Sequence, residues 1–264
     1  MKNEKEDQLF DEWPEKYDAW FSTPIGALVR KYERELLLDL LGPQTGEVIL
    51  DAGCGTGVFT LDFVAAGSKV MGLDISLPML LRASQKFKRF PLDPFDGAKP
   101  CLSRRGRKAP LRVNPEQPPA FMPGSRRVDL VIGDITALPF PGNFFDKAVS
   151  ATALEFIEDG KGAIRELFRV TRKGSVIVVA TLNRLSPWAE RRKEEASKGH
   201  PIFKMAVFRS PDELLSLAPA RGTFRTAIHF QKDDDPDRAP EIEREGQRKG
   251  LDTGAFVAAR WIKD

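Results

Sequence analysis

A doubly wound α/β fold is what this sequence predicts, on three observations. Short apolar segments alternate with segments of helical, three-to-four-residue periodicity. A glycine-rich turn, Gly53 to Gly57, joins the first such segment to the helix that follows it. The second segment closes on an acid, Asp74, at the spacing where nucleotide-binding folds of this kind place one.

Composition permits such a fold. The 264 residues are 41% hydrophobic and 30% charged, so the chain can bury a core without staples, and both wholesale disorder and a disulfide miniprotein are excluded. Cys54, Cys101, His200 and His229 are too scattered for a zinc pattern, and no metal site is expected. No apolar run approaches the ~18 residues that span a bilayer, and the start MKNEKEDQLF lacks an apolar signal region. The expectation is an intracellular, cytoplasmic, soluble protein. The net charge of +3 is uneven: residues 91–127 carry eight Lys/Arg against Asp93, Asp96 and Glu116, a local +5 that leaves −2 for the remainder. A basic surface for nucleic acid is thus unsupported, whereas a local basic tract is present.

Each element has its signal. WPEKYDAWF is dense in aromatics for a terminal segment and should be tied down. Thr23 caps a helix with Pro24 at its first position and Ile25, Leu28, Val29, Tyr32, Leu36 and Leu40 on one face, ending at Gly42-Pro43. VILDA is the first strand, a helix runs from about Val58 to Ala66, and SKVMGLD is the second strand. Ser76 caps a helix carrying Leu77, Leu80, Leu81 and Phe87. Residues 91–127 then lose periodicity and hold eight of the 20 prolines, which reads as an insertion without stable structure. VDLVIGD and FDKAVSA are strands three and four. A helix from about Lys161 to Arg172 stops at Gly174, and SVIVVATL is a fifth, fully apolar strand. Ser186-Pro187 and a capping box at Ser210–Glu213 open two more helices. FRTAIHF and GAFVAARWI form a terminal antiparallel pair, joined by the polar stretch QKDDDPDRAPEIEREGQRKG as a loop. Residues 1–264 thus make one domain, with a lid and helix over 1–42 and the insertion at 91–127.

The chemistry concentrates in Asp51-Ala52-Gly53-Cys54-Gly55-Thr56-Gly57. Glycines at alternate positions let the backbone turn and approach a ligand without Cβ interference, and the helix that follows offers free N–H donors. A pyrophosphate fingerprint reads G-x-G-x-x-G, whereas this loop reads G-x-G-x-G behind an aspartate. That acid would repel a diphosphate and suits an amino-acid moiety bearing ammonium and sulfonium charges. Here the sequence resembles the class I S-adenosylmethionine-dependent methyltransferases, in particular the small-molecule branch that includes the ubiquinone and menaquinone C-methyltransferases. DAGCGTG, GLDIS, GDITALPFPGNFFD and ELFRVTRKGSVIVVATLN carry the resemblance across residues 47–183 apart from the insertion.

The resemblance implies a Rossmann-like, mostly parallel seven-stranded sheet with an antiparallel last strand, S-adenosylmethionine as cofactor and a small-molecule methyl acceptor. It implies that Gly53, Gly55 and Gly57 turn beneath the methionine part, with Asp51 at that end. Asp74 would accept from both ribose hydroxyls. Ile75 and Met79 would flank the adenine, Asp134 and the Ile135 backbone would read its amine, and Ser150 and Ala151 would line the methionine side. Each residue also has a plainer reading, with Asp134 as a turn cap, Met79 as core and Cys54 as merely small. The N-terminal aromatics would form a lid, with Tyr17 meeting the methionine group or the acceptor.

Methyl transfer from a sulfonium is an in-line displacement that needs positioning more than a protein nucleophile. Tyr17, Glu155, Asn183 and His200 are candidate bases, Phe156 stands where many relatives carry a histidine, and no catalytic residue is assigned. Two further readings remain open: recruitment to RNA or protein through the RRGRK tract, and cofactor binding without transfer.

Overall fold

The structure, a computed structural model, describes residues 9–89 and 127–264, so the insertion expected over 91–127, apart from Arg127, lies outside the described residues. The aromatic N-terminal stretch forms a short helix, α1 (Pro14–Trp20), which sequence periodicity did not reveal because it is barely two turns long. Helix α2 (Pro24–Leu41) starts as the sequence predicts: the Thr23 hydroxyl accepts from the Gly26 N–H at 3.0 Å, and Gly42 closes it in the left-handed region at φ 56°.

Strand β1 (Val48–Ala52), helix α3 (Thr60–Ala65), strand β2 (Lys69–Asp74), helix α4 (Leu77–Arg89) and strand β3 (Val128–Ile132) follow. Then come β4 (Lys147–Ala151), helix α5 (Gly160–Val170), β5 (Val176–Leu182), helices α6 (Pro187–Ser197) and α7 (Pro211–Leu215), and β6 (Gly222–Ala227). Helix α8 (Ala239–Lys249) and strand β7 (Phe256–Ile262) complete the chain. The predicted capping box at Ser210 forms with both of its hydrogen bonds.

The expected loop before the last strand is a helix instead, α8. Its apolar contacts are few, so hydrophobic periodicity is silent, and a buried acid anchors it: Glu243 accepts from the His229 N–H at 2.7 Å and from Gln247 at 2.9 Å.

The sheet runs β3-β2-β1-β4-β5-β7-β6. β7 is antiparallel to both neighbours, and every other pairing is parallel, as the sequence predicts. Alternate strand residues enter opposite faces. Ile49, Val149 and Val178 pack under α2, α3 and α4, while Leu50, Ala148, Ile177 and Val179 pack under α5. Chain order reverses between β1 and β4, and a crevice outside the carboxyl ends of the strands belongs there. Among the described residues no helix is long and apolar enough to cross a membrane.

Candidate active site

At the carboxyl end of β1 the backbone turns through three left-handed glycines, with φ of 76° at Gly53, 54° at Gly55 and 74° at Gly57. L-residues adopt that region at a cost of roughly 1–2 kcal/mol each, which explains the alternate spacing. The glycines differ in what lies above them. A Cβ on Gly53 would lie 2.4 Å from the Ala153 Cβ, so this glycine lets the turn after β4 close against the loop. A Cβ on Gly55 would meet nothing within 4 Å: its face is bare.

Two acids flank the loop. The Asp51 carboxylate is buried beneath it and accepts from the Thr60 hydroxyl at 2.6 Å; burial pushes its carboxyl up to about 7 despite that bond. Asp74 closes β2 and accepts from the Gly55 N–H at 2.7 Å and the Ser76 N–H at 2.9 Å, one on each oxygen. Burial raises its pKa against those two bonds and a third from the Ile75 backbone.

The other sequence-predicted residues surround this cradle. Ile75 is exposed at 43% and stands beside it, whereas Met79 is buried in the protein at 4%. Asp134 caps the turn Ile135–Ala137, accepting from the N–H and hydroxyl of Thr136, and Ile135 is buried. Ser150 and Ala151 end β4, and the Ser150 hydroxyl is wholly buried without a hydrogen-bond partner among the described residues. Burial raises the Cys54 thiol well above its ordinary range, in keeping with a small loop residue and not a nucleophile.

The N-terminal stretch is fastened over the cradle. Asp18 accepts from the Thr56 hydroxyl at 2.7 Å inside the glycine loop, and pairs with Arg82 at 2.9 Å and Lys86 at 2.5 Å on α4. Burial pushes the Asp18 carboxyl up, but hydrogen bonds from Lys86, Arg82 and Thr56 prevail and hold it low. A second fastening joins Ser76 to Asp11 at 2.7 Å.

Behind this stretch lies a cavity of about 340 Å³. Its walls are aromatic: Trp13, Tyr17, Trp20, Phe21, Trp188 and Phe203. Three of the chain's four tryptophans line it, so an apolar, planar occupant is favoured. His200 borders it too, stacked on Phe203 at 4.4 Å.

One wall is polar. The turn after β4 contributes Thr152, which is β-branched yet held at φ 51°, and Glu155, fully buried. Ile228, also β-branched, lines the cavity at φ 68°. Strained backbone of this kind concentrates at functional sites. Glu155 accepts from the Thr181 hydroxyl at 3.0 Å through one oxygen, while the other is buried with no partner. Burial lifts its carboxyl to about 7, although Thr181, Arg192 and Arg209 pull downward. Glu33, which the sequence reading did not single out, reaches the same wall from α2, and burial lifts it to about 8 against the pull of Arg30 and Arg192. Arg192 lies over the Trp188 ring at 5.2 Å with one guanidinium nitrogen buried and unpaired, and burial lowers it to about 10. Tyr17 meets this wall too, and burial together with Glu33 raises its phenol pKa despite a bond with Thr152.

Of the candidate bases, Asn183 is not in the cavity. Its amide donates to the Asp252 and Gly254 carbonyls at 2.6 and 2.8 Å and its oxygen accepts from the Leu185 N–H, which makes it a loop anchor. Among the described residues no group of His, Cys, Asp and Glu is placed to hold a metal ion.

A methyltransferase-domain family model matches residues 50–179, and one for the ubiE/COQ5 methyltransferase family matches residues 1–92. The chain is 29% identical over 172 residues to a demethylmenaquinone methyltransferase of Renibacterium salmoninarum, an alignment covering 65% of this chain and 56% of that one. It is 30% identical over 156 residues to the malonyl-[acyl-carrier protein] O-methyltransferase of Salmonella typhimurium, covering 59% of this chain and 47% of that one. In fold it is similar to an S-adenosylmethionine-dependent methyltransferase of Thermotoga maritima described as a possible histamine N-methyltransferase. There the TM-score is 0.62 at 19% identity, covering 98% of this chain and all of that one.

Proposed function

We propose that this chain, which belongs to the S-adenosylmethionine-dependent methyltransferases, transfers the methyl group to a small, largely apolar acceptor held in the aromatic cavity. The observation that carries the reading is the adjacency of two unlike sites: a bare glycine cradle between two acids, and an aromatic cavity sharing with it the turn at Thr152 and Ala153.

The residues fit the cofactor. The open face above Gly55 admits a nucleoside, and the carboxylate of Asp74 suits its ribose hydroxyls. Exposed Ile75 would cover one adenine face, Asp134 and the Ile135 backbone would lie at its edge, and Met79 would support it from below. Gly53 and Gly57 shape the turn, Asp51 would lie toward the methionine end, and the Ser150 hydroxyl would find a partner there. When bound, the cofactor supplies an electrophilic methyl group on a sulfonium.

The chain's own contribution is positional. Asp18 and Asp11 fasten the N-terminal stretch over the loop, excluding water from the junction of the two sites. Tyr17 faces the cavity and the Thr152 turn, where it can orient the acceptor. The curated relatives named here act on a demethylmenaquinone and on a malonyl group carried by a protein, so an acceptor with an apolar body and a polar reacting end suits both the cavity and the company it keeps.

The test is release of S-adenosylhomocysteine from the full chain, run across pools of aromatic phenols, amines and carboxylic acids, with RNA as a separate pool. Turnover is expected with a small aromatic acceptor. Turnover confined to RNA would overturn the acceptor assignment, and tight binding of NAD with none of S-adenosylhomocysteine would overturn the cofactor.

A further inference from the structure

Glu33 lies on a helix whose other inward residues are core. Ile25, Val29, Leu36, Leu37 and Leu40 of α2 fill the space beneath the sheet, and Glu33 breaks that apolar series with only 5% of its surface open. Arg30 and Arg192 act on its carboxylate through space, without a hydrogen bond to it. A buried carboxyl left so is costly, and a chain that needed only packing here would carry leucine. The residue lines the aromatic cavity, so its missing partner is one that enters the cavity.

The second acid of that wall differs. Glu155 has no open surface and spends one oxygen on Thr181, which suits a backing role, while Glu33 keeps a small open face. Charged groups around Glu33 come from each element packed on it: Arg30 from α2, Arg192 from α6, Glu155 from the turn after β4, and the Tyr17 hydroxyl from α1. None of them takes up its hydrogen-bonding capacity.

We propose that Glu33 is the group that receives the acceptor's proton. This rests on the acceptor reading of the cavity and names a residue within it. In the step, an electron pair of the acceptor forms the new bond to the methyl carbon as the carbon–sulfur bond breaks, its pair staying on sulfur. The acceptor's proton passes to Glu33 and then to solvent, so no oxidant or reductant is needed.

The test uses the full chain saturated with S-adenosylhomocysteine and two probes of nearly equal size, 2-naphthol and 2-methylnaphthalene, titrated by calorimetry. The wild type is expected to bind the naphthol tighter by about ten-fold, because only it can donate to Glu33. Glu33→Leu should abolish that preference, Glu33→Gln should keep part of it through its amide oxygen, and both should bind S-adenosylhomocysteine as the wild type does. Both should also melt at or above the wild-type temperature, since an unpartnered buried carboxyl has been removed. A preference that survives in Glu33→Leu, or a marked fall in melting temperature in both variants, overturns the proposal and makes Glu33 structural. If neither probe binds while S-adenosylhomocysteine does, the acceptor reading of the cavity falls and this proposal with it. If S-adenosylhomocysteine itself fails to bind, the methyltransferase reading is what has failed.

Discussion

The glycine cradle and the aromatic cavity lie side by side at the carboxyl ends of the strands, and they differ in how their polar groups are satisfied. In the cradle nearly every such group has a local partner. Asp74 holds Gly55 and Ser76, Asp51 holds Thr60, and Asp18 ties Thr56 to Lys86 and Arg82. In the cavity one oxygen of Glu155 and one nitrogen of Arg192 are buried and unpaired, Glu33 accepts from no donor among the described residues, and two β-branched residues sit at positive φ. A cradle shaped by its own backbone is formed before its ligand arrives. A cavity with orphan polar atoms is finished by what it binds.

The largest effect that would break this contrast is expected at Gly53. Gly53→Ala places a Cβ 2.4 Å from that of Ala153 and forces a side chain into φ 76°, so stability should fall by about 2–4 kcal/mol and S-adenosylhomocysteine binding should be lost. Gly55→Ala is the sharpening control. Its Cβ enters open space, so a melt should change by only about 1 kcal/mol while calorimetry shows a clear loss of cofactor affinity. Equal stability losses at both positions would refute the different roles assigned to them.

Next is Asp74→Ala, which leaves the Gly55 and Ser76 N–H groups without their acceptor and the ribose without a charged one. A loss of roughly 1.5–3 kcal/mol in S-adenosylhomocysteine affinity is expected by calorimetry. Unchanged affinity would remove Asp74 from the cofactor site.

A smaller, graded effect is expected from pH. Burial lifts Glu33 to about 8 and Glu155 to about 7, from an ordinary value near 4.5, so the folded chain holds protons that the unfolded chain releases. Stability should therefore decline as pH rises from about 4.5 toward 8 and level off above it, by at most ~1.4 kcal/mol per pH unit for each group. Glu33→Gln should flatten that slope in denaturant titrations by close to one proton, whereas an unaltered slope would show that Glu33 titrates normally.

The smallest effect belongs to the fastening. Asp18→Asn weakens its bonds to Lys86 and Arg82 and should cost about 1 kcal/mol at these partly open positions. Hydrogen exchange should quicken over residues 11–22 in the variant, and in the wild type should slow there when S-adenosylhomocysteine binds. No change in either case would mean that the stretch is permanently packed and not a lid.

Much of this was legible along the chain, and the exceptions share a cause. The strands themselves, the capping box at Ser210 and the glycine turn each depend on residues within a few positions of one another, which is the range that periodicity and turn chemistry report. Helix α8 was missed because its stability comes from Glu243 reaching back to His229, an acid doing the anchoring that patterns assign to leucine. Asn183 read as a possible base because side-chain type alone does not reveal that its amide is committed to Asp252 and Gly254. Glu33 passed as an ordinary charge on an amphipathic helix, although one clue was available: it sits four positions after Val29 and three before Leu36, on the apolar face.

The sequence by itself determined the strands, the glycine turn and the acids that flank it, because those features are built from contiguous residues whose backbone preferences act locally, and the family resemblance of those motifs supplied the cofactor class. Only the tertiary structure decided the aromatic cavity. Tyr17, Glu33, Glu155 and Arg192 are far apart in the chain and become neighbours when α1, α2, α6 and the turn after β4 pack at the carboxyl ends of the strands. Their burial, their missing partners and their displaced proton affinities are properties of that shared, low-dielectric space, and none exists until the chain closes around it.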